Sequence, residues 1–186
     1  MNIFSKSRIN SRLNLTANSF AGLIALLLLL LVSPTLAGNL TISGRAGMYS
    51  PPGGNISASV MYGLGAEYTI TNNLSARAAV ETTTYSVGGV QTTLTPVTAD
   101  LIYRQTLGGM FTPYAGAGVG YYTSTVGSNT NSTMGVQAET GFKFALGGFD
   151  AGVEARYMLP DTKNTNSGSM SYNAYMTGSF LQSFNI

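Results

Sequence analysis

Residues 56–70 read ISASVMYGLGAEYTI, a stretch in which apolar residues alternate with polar or small ones. Every even-numbered position from Ile56 to Ile70 is apolar, whereas the odd-numbered positions hold serine, glycine, glutamate, threonine and one methionine. A repeat of two residues is the period of a β-strand, because successive side chains of a strand point to opposite faces. The stretch therefore predicts a strand with one apolar and one polar face.

The same alternation recurs from residue 38 onward, interrupted by segments rich in Gly, Asn, Ser and Pro. It predicts eight strands, at 40–49, 56–70, 74–85, 94–104, 111–122, 134–144, 149–159 and 170–184. A strand and its connection then take about 19 residues, which suits membrane strands of roughly 9–11 residues and short turns. The predicted fold class is all-β, an eight-stranded antiparallel transmembrane up-and-down β-barrel.

The predicted connections alternate in length along the chain. Three are short, at 71–73, 105–110 and 145–148, and four are longer and more polar, at 50–55, 86–93, 123–133 and 160–169. Outer-membrane barrels have short turns on the periplasmic side and longer loops outside. We therefore expect the long connections to face outside and both ends of the barrel to lie in the periplasm.

The charged residues give an independent indication of the two faces, since a barrel in lipid must keep charge off its outer surface. Asp161 and Lys163 fall in the last long connection. All other charged residues after position 38 fall on the polar phase of their strands, which predicts a charge network in the lumen. Its members are Arg45, Glu67, Arg77, Glu81, Asp100, Arg104, Glu139, Lys143, Asp150, Glu154 and Arg156. A soluble barrel would show the inverse pattern, with apolar residues inside and charges outside.

Turn length together with the two-residue period predicts specific partners in this network. If Gly147 and Gly148 form a two-residue turn, Glu139 lies opposite Arg156 in the lumen. A three-residue turn at 71–73 likewise places Glu67 opposite Arg77. Both pairs are oppositely charged, although nothing in the choice of turn required it.

Glycines at positions 116, 118 and 120 follow the two-residue period on the lumen side of the fifth predicted strand. They do not fit a nucleotide-binding loop, because the spacing is wrong and no helix follows. We interpret them as three missing side chains that make room for Tyr114, Tyr122 and long neighbouring side chains.

Residues 1–37 have the three regions of a secretory signal peptide. Basic residues come first, an apolar run follows at 20–32, and small residues end at Ala37. The alternative is a transmembrane helix, but the run is shorter than the roughly 20 residues that a bilayer requires. We therefore predict a cleaved signal peptide at 1–37, export through the Sec pathway, and an outer-membrane β-barrel at 38–186.

Composition limits the chemistry that this chain can perform. It contains no cysteine and no histidine, which removes the common zinc sites and the Ser-His and Cys-His catalytic pairs. Three of the nine basic residues lie before position 38, which leaves six against seven acidic ones and no basic stripe for nucleic acid. We predict no enzymatic activity, no cofactor, no metal and no nucleic-acid partner.

Two adjoining segments carry a family resemblance. Residues 94–104, LTPVTADLIYR, and 111–122, FTPYAGAGVGYY, resemble neighbouring strands of the OmpW-like and OmpA-like β-barrel domain families. The resemblance implies a Gram-negative outer membrane, with lipid, periplasmic chaperones and the barrel-assembly machinery as partners of a monomer.

Two functions remain open for such a barrel. The first is a structural or surface-interaction role with a polar lumen filled by side chains. The second is a narrow OmpW-like channel for small hydrophobic molecules. The first is favoured, because eight strands leave an interior just wide enough for side chains.

Overall fold

The computed structural model describes residues 40–52, 56–105, 107, 110–147, 149–163 and 165–178, with only the backbone at 165 and 175–178. Eight strands account for most of these residues. They are β1 (Leu40–Ser50), β2 (Ser59–Thr69), β3 (Leu74–Val87), β4 (Val90–Arg104), β5 (Phe111–Val126), β6 (Asn129–Ala145), β7 (Phe149–Leu159) and β8 (Ser169–Gly178). A 3-10 helix at Thr165–Ser167 precedes the last strand. The predicted signal peptide and the end of the predicted eighth strand, 179–184, lie outside the described residues.

The strands form a closed barrel in sequence order, in which every strand is antiparallel to its neighbours and β1 pairs with β8. Closure gives every strand two neighbours, so the ladders satisfy most backbone hydrogen-bonding groups along the wall, with one interruption between β3 and β4 next to Pro96. The described part of the chain contains no helix that is long and apolar enough to cross a membrane. The eight-stranded antiparallel barrel predicted from the sequence is confirmed.

The two faces of each strand separate as the alternation predicts. In β1, Ser43, Arg45 and Tyr49 are buried in the interior, whereas Ile42 and Met48 are exposed on the outer wall. The same division holds through most of the other strands, although Tyr68 on the outward phase of β2 is buried, and it leaves a wall rich in exposed apolar side chains. They include Val60, Tyr62, Leu64, Leu101, Tyr103, Val119, Met134, Val136, Phe142, Val153, Tyr157 and Tyr172.

Two connections set the register that the sequence predicts. The amide of Leu146 donates to the carbonyl of Phe149 at 2.9 Å, which closes a two-residue turn and places Glu139 opposite Arg156. The amide of Ile70 donates to the carbonyl of Leu74 at 2.9 Å, and Glu67 then lies opposite Arg77. Both predicted pairings are confirmed.

Two of the four predicted long connections are wrong. Val87 pairs with Val90 and Val126 pairs with Asn129, so the segments 86–93 and 123–133 belong mostly to extended strands that end in two-residue turns. Gly88 and Gly89 both have positive φ, at 57° and 83°, as the tight turns of β-hairpins require. The prediction took polarity for a loop signal, whereas threonine is β-branched and favours strands.

Candidate functional site

The interior of the barrel is the candidate site. We call the end that carries the connections 70–73, 105–110 and 146–148 the lower end, and the opposite end the upper end. All eleven residues of the predicted charge network project into the interior. Eight are buried, namely Arg45, Glu67, Arg77, Glu81, Asp100, Glu139, Glu154 and Arg156. Arg104, Lys143 and Asp150 are half-buried near the lower end.

Arg156 lies at the centre of the network and is fully buried, with 0% of its surface exposed. Its Nε donates to Glu139 Oε2 at 3.3 Å and its Nη2 to Glu154 Oε1 at 2.8 Å. Its Nη1 forms a further ion pair with Glu81. One planar guanidinium therefore joins three carboxylates from β3, β6 and β7, a geometry that lysine could not reproduce.

Glu154 is the matching acidic centre. Its carboxylate pairs with Arg45 and with Arg156, and it accepts from Arg77 Nη1 at 2.6 Å. The hydroxyl of Tyr114 donates to the same carboxylate at 2.8 Å. Charges removed from water are tolerated when each has an opposite partner and its remaining acceptor sites are filled, and Glu154 meets both conditions.

Glu67 organises the charges near the lower end. It accepts from Arg77 Nε at 3.2 Å and pairs with Arg104, and Lys143 Nζ lies 3.8 Å from its Oε1. Arg77 also donates to Glu139 at 3.0 Å, which connects this group to the centre of the lumen. The guanidinium of Arg77 stacks over the ring of Tyr114 at 5.3 Å from the centroid. The ionic network thus runs continuously from the lower end to mid-lumen.

Asp100 belongs to a neighbouring chain of hydrogen bonds. Gln137 Nε2 donates to Asp100 Oδ1 at 2.6 Å, and the hydroxyl of Tyr122 donates to Gln137 Oε1 at 3.2 Å. The second carboxylate oxygen of Asp100 has no hydrogen-bond partner among the described residues. The chain of contacts extends the polar interior towards the upper half of the barrel.

The upper half of the lumen holds a cluster of apolar side chains that we call the apolar layer. Its buried members are Tyr49, Met61, Leu94, Tyr122 and Met158, and Tyr85 packs against them. The rings of Tyr49 and Tyr85 lie 5.5 Å apart. Together with the ionic network below it, this layer fills the cross-section of the barrel with packed side chains.

Glycines make this filling possible. A Cβ placed on Gly120 would lie 2.6 Å from the ring of Tyr122, and a Cβ on Gly141 would lie 2.6 Å from that of Tyr114. Each ring therefore occupies the space that a side chain on the wall would take. The predicted role of Gly120 in making room for Tyr122 is confirmed, and Gly116 makes room for the long side chains of Ile102 and Glu139. The glycine beneath Tyr114 is Gly141.

Sequence reasoning identified the members of the network and two of its pairs but missed its connectivity. Arg77 reaches Glu154 from a different wall of the barrel, and Arg45 reaches Glu81 and Glu154. It also missed that the apolar Leu94 and Ile102 point inwards on β4. Strand period assigns a face, but it does not report which residues meet across a closed lumen.

Most acidic residues of the interior are committed to ion pairs. Within the described ranges, no group of three or more acidic residues is placed to hold a metal ion. The interior carboxylates of Glu81, Glu139 and Glu154 are engaged by arginines. What the site does chemically is to bury paired charge and exclude solvent.

No protein-family model and no curated protein matches the chain. Several solved structures are similar to the chain. Neisserial surface protein A is 21% identical with a TM-score of 0.64, and the match covers 76% of this chain and 97% of that structure. The N-terminal β-barrel domain of Pseudomonas aeruginosa OprF is 18% identical with a TM-score of 0.55, over 76% of this chain and 98% of that one.

The attachment invasion locus protein Ail of Yersinia pestis is also similar, at 14% identity and a TM-score of 0.52, over 76% of this chain and 97% of Ail. These likenesses show that the chain has the fold of small eight-stranded outer-membrane barrels. The predicted resemblance to such barrels is confirmed at the level of fold.

Proposed function

We propose that this protein is an integral outer-membrane barrel with a structural or surface-interaction role. The observation that carries the proposal is the filled lumen, in which the fully buried Arg156 pairs with three carboxylates below a packed apolar layer. Such an interior stabilises a closed barrel and leaves no wide path for solutes.

The outer wall supports a membrane location. Among the described residues, no Asp, Glu, Lys or Arg lies on the outward phase of any strand, and large apolar side chains are exposed around the circumference. Water would disfavour this surface, whereas lipid suits it. We therefore place the protein in the outer membrane, with outer-membrane lipid as its surroundings.

Biogenesis follows from this location. We propose that residues 1–37 direct export through the Sec pathway, and that periplasmic chaperones and the barrel-assembly machinery deliver and insert the barrel. The closed ladder has no free edge for pairing with another chain. We propose that the functional unit is a monomer.

The alternative function, an OmpW-like channel for small hydrophobic molecules, is less well supported. Such a channel needs an apolar path or an opening in the wall, yet the centre of this lumen is ionic and the barrel is closed by pairing of β1 with β8. Ail and Neisserial surface protein A are named for attachment and surface location. These names agree better with a role at the cell surface.

Single-channel recording tests the proposal. The full-length chain is expressed in a Gram-negative host, and the protein is purified from the outer-membrane fraction and inserted into planar bilayers. We expect a heat-modifiable band on gels, which demonstrates a folded barrel, and no steady current. Steady open currents from folded protein would support the channel, and absence from the outer membrane would refute the proposed location.

A further inference from the structure

Eight hydroxyl side chains form a regular array on the outer wall of β3 to β6, nearer the upper end than the apolar side chains on the outward face of the same strands. We call this surface the hydroxyl array. Its upper row contains Thr84, Thr93, Thr125 and Thr130, and its lower row contains Thr82, Thr95, Thr123 and Ser132. Within the upper row, Thr93 lies opposite both Thr84 and Thr125, and Thr125 lies opposite Thr130. Four adjacent strands thus present hydroxyls side by side.

The hydroxyls within each hairpin are already paired. The Oγ1 atoms of Thr84 and Thr93 are 3.0 Å apart, and those of Thr125 and Thr130 are 3.1 Å apart. A hydroxyl has one donor and two acceptor sites. Each pair therefore retains one donor and several acceptor sites, which a ligand with its own hydroxyls could use.

The position of the array relative to the lipid-facing wall indicates what covers it. The row directly below consists of Val80, Val97, Tyr121 and Met134, which are also opposite one another on the outward face. The change from this apolar row to hydroxyls marks the level at which acyl chains give way to headgroups. On β7, by contrast, the outward phase stays apolar through Tyr157 to Leu159. The array is therefore a lateral surface at headgroup depth on one side of the barrel.

The array is also uncharged. Among the described residues of β3 to β6, no Asp, Glu, Lys or Arg occupies an outward position. Recognition of phosphate or sulfate relies on Arg or Lys, which are missing from this face. Sugar hydroxyls are neutral, and they are donors and acceptors at once, as the threonine hydroxyls are.

We propose that the hydroxyl array binds the saccharide portion of glycolipids in the outer leaflet. The proposal rests on the proposed outer-membrane location with the upper end facing outside, and it gives the barrel a specific lipid contact there. Hydrogen bonds between neutral hydroxyls are individually weak, so the contact depends on several of them acting together across the two hairpins.

The test compares two glycolipids in bilayer nanodiscs that contain the purified protein. One is lipopolysaccharide with its core oligosaccharide, and the other is the same lipid trimmed to its phosphorylated diglucosamine anchor, both carrying a dye. We expect the wild type to bind the first lipid about tenfold more tightly than the second, because a few net hydrogen bonds are enough to give this ratio of affinities. The ratio should depend little on salt concentration, because the hydrogen bonds join neutral groups. Free core oligosaccharide should bind far more weakly, because the proposed ligand is held in the membrane.

The variants remove hydroxyls without changing the shape of the strand surface. Replacing Thr84, Thr93, Thr125 and Thr130 together by valine should abolish the tenfold preference, whereas replacing the same four by serine should retain it. Thr140→Val, on the outward face of β6 near mid-wall, should leave the preference unchanged.

Three outcomes overturn the proposal. They are equal wild-type affinity for the two lipids, a preference that survives in the valine variant, and a preference that disappears at high salt, which would indicate phosphate binding. If one of these outcomes is found for a protein that is located in the outer membrane and does not conduct, the glycolipid proposal fails and the proposed function stands. If it does not reach the outer membrane, both fail.

Discussion

Arg156 Nε donates to Glu139 Oε2 at 3.3 Å, and the two residues also lie directly opposite each other in the β6–β7 ladder. The two-residue turn between Leu146 and Phe149 sets this register. A slip of one residue would turn Arg156 to the lipid face, so the turn and the ion pair specify the same alignment.

The first prediction concerns the stability that depends on Arg156. Arg156→Met keeps an unbranched side chain but leaves Glu81, Glu139 and Glu154 with less compensation. We expect the free energy of unfolding to fall by about 3–5 kcal/mol, the cost of breaking a buried pair. Urea titration of the barrel in lipid vesicles, followed by circular dichroism, measures it.

Lys163→Met is the matched control, because Lys163 is exposed in the β7–β8 connection. Its effect should stay within about 0.5 kcal/mol, as for most surface substitutions. If both variants lose the same small amount, water screens the lumen and the network contributes little. Should Arg156→Met fail to fold, Arg156→Lys provides a milder version of the same comparison.

The second prediction is a measurable coupling between Glu67 and Arg77. Glu67 also contacts Arg104 and Lys143, so removing Arg77 does not leave it without positive neighbours. A double-mutant cycle with Glu67→Gln and Arg77→Ala should therefore give a coupling of about 1–3 kcal/mol. The same cycle between Glu67 and Lys163 should give none. A Glu67–Arg77 coupling near zero would contradict a dry lumen.

The sequence was sufficient to predict the number and order of the strands, the two faces and two ion pairs, because all three depend on local period and turn length. The alternation at 56–70 assigns Glu67 to the interior, and the turn at 70–73 then places it opposite Arg77. Both steps use only neighbours along the chain or across one hairpin. These two predictions therefore do not require knowledge of how the barrel closes.

Other features depend on closure and could not be predicted. Arg77 meets Glu154 across the lumen only because β3 and β7 face each other in a cylinder of eight strands. The extended hairpins 86–93 and 123–133 were missed because threonine, on an exposed wall, combines the polarity of a loop with the conformational preference of a strand. The polar residues of these two segments indicate a position near the membrane surface, and they are still paired in β-ladders.

The third prediction tests the packing of Tyr122 against Gly120. Gly120→Ala introduces a methyl 2.6 Å from the ring, so we expect a loss of about 1–3 kcal/mol in the free energy of unfolding. Adding Tyr122→Leu removes the ring and should recover part of this loss. Gly44→Ala is the control, since nothing lies within 4 Å of the position that its methyl group would take on the outer wall. Equal losses at both glycines would show that strand conformation, not lumen packing, determines the cost.

The fourth prediction concerns orientation. The chain has no cysteine, so single substitutions report accessibility without background. Ser128→Cys in the turn at the upper end should react in intact cells with a thiol reagent too large to cross the outer membrane. Asn72→Cys at the lower end should react only after the membrane is permeabilised. The reverse pattern would place the upper end in the periplasm.

The last prediction is that two independent layers close the lumen. The apolar layer fills its upper half and the ionic network its centre, so opening either one alone should leave the other in place. Tyr49→Ala with Tyr122→Ala removes two rings from the apolar layer. Arg77→Ala with Glu139→Ala removes a contacting pair of opposite charges, so the net charge of the lumen stays the same.

We expect neither double variant to conduct in planar bilayers, and the quadruple variant to give steady currents, because only then is a continuous aqueous path present. Tyr62→Ala with Tyr172→Ala, which removes two exposed rings from the outer wall, controls for general loss of aromatic anchoring. Each variant must retain its heat-modifiable band before recording. Current from the Tyr49 and Tyr122 variant alone would mean that the ionic network is permeable to ions and that the apolar layer is the only barrier. Absence of current in the quadruple variant would mean that neighbouring side chains move into the space left by the four removed side chains, as in a core that repacks around a cavity.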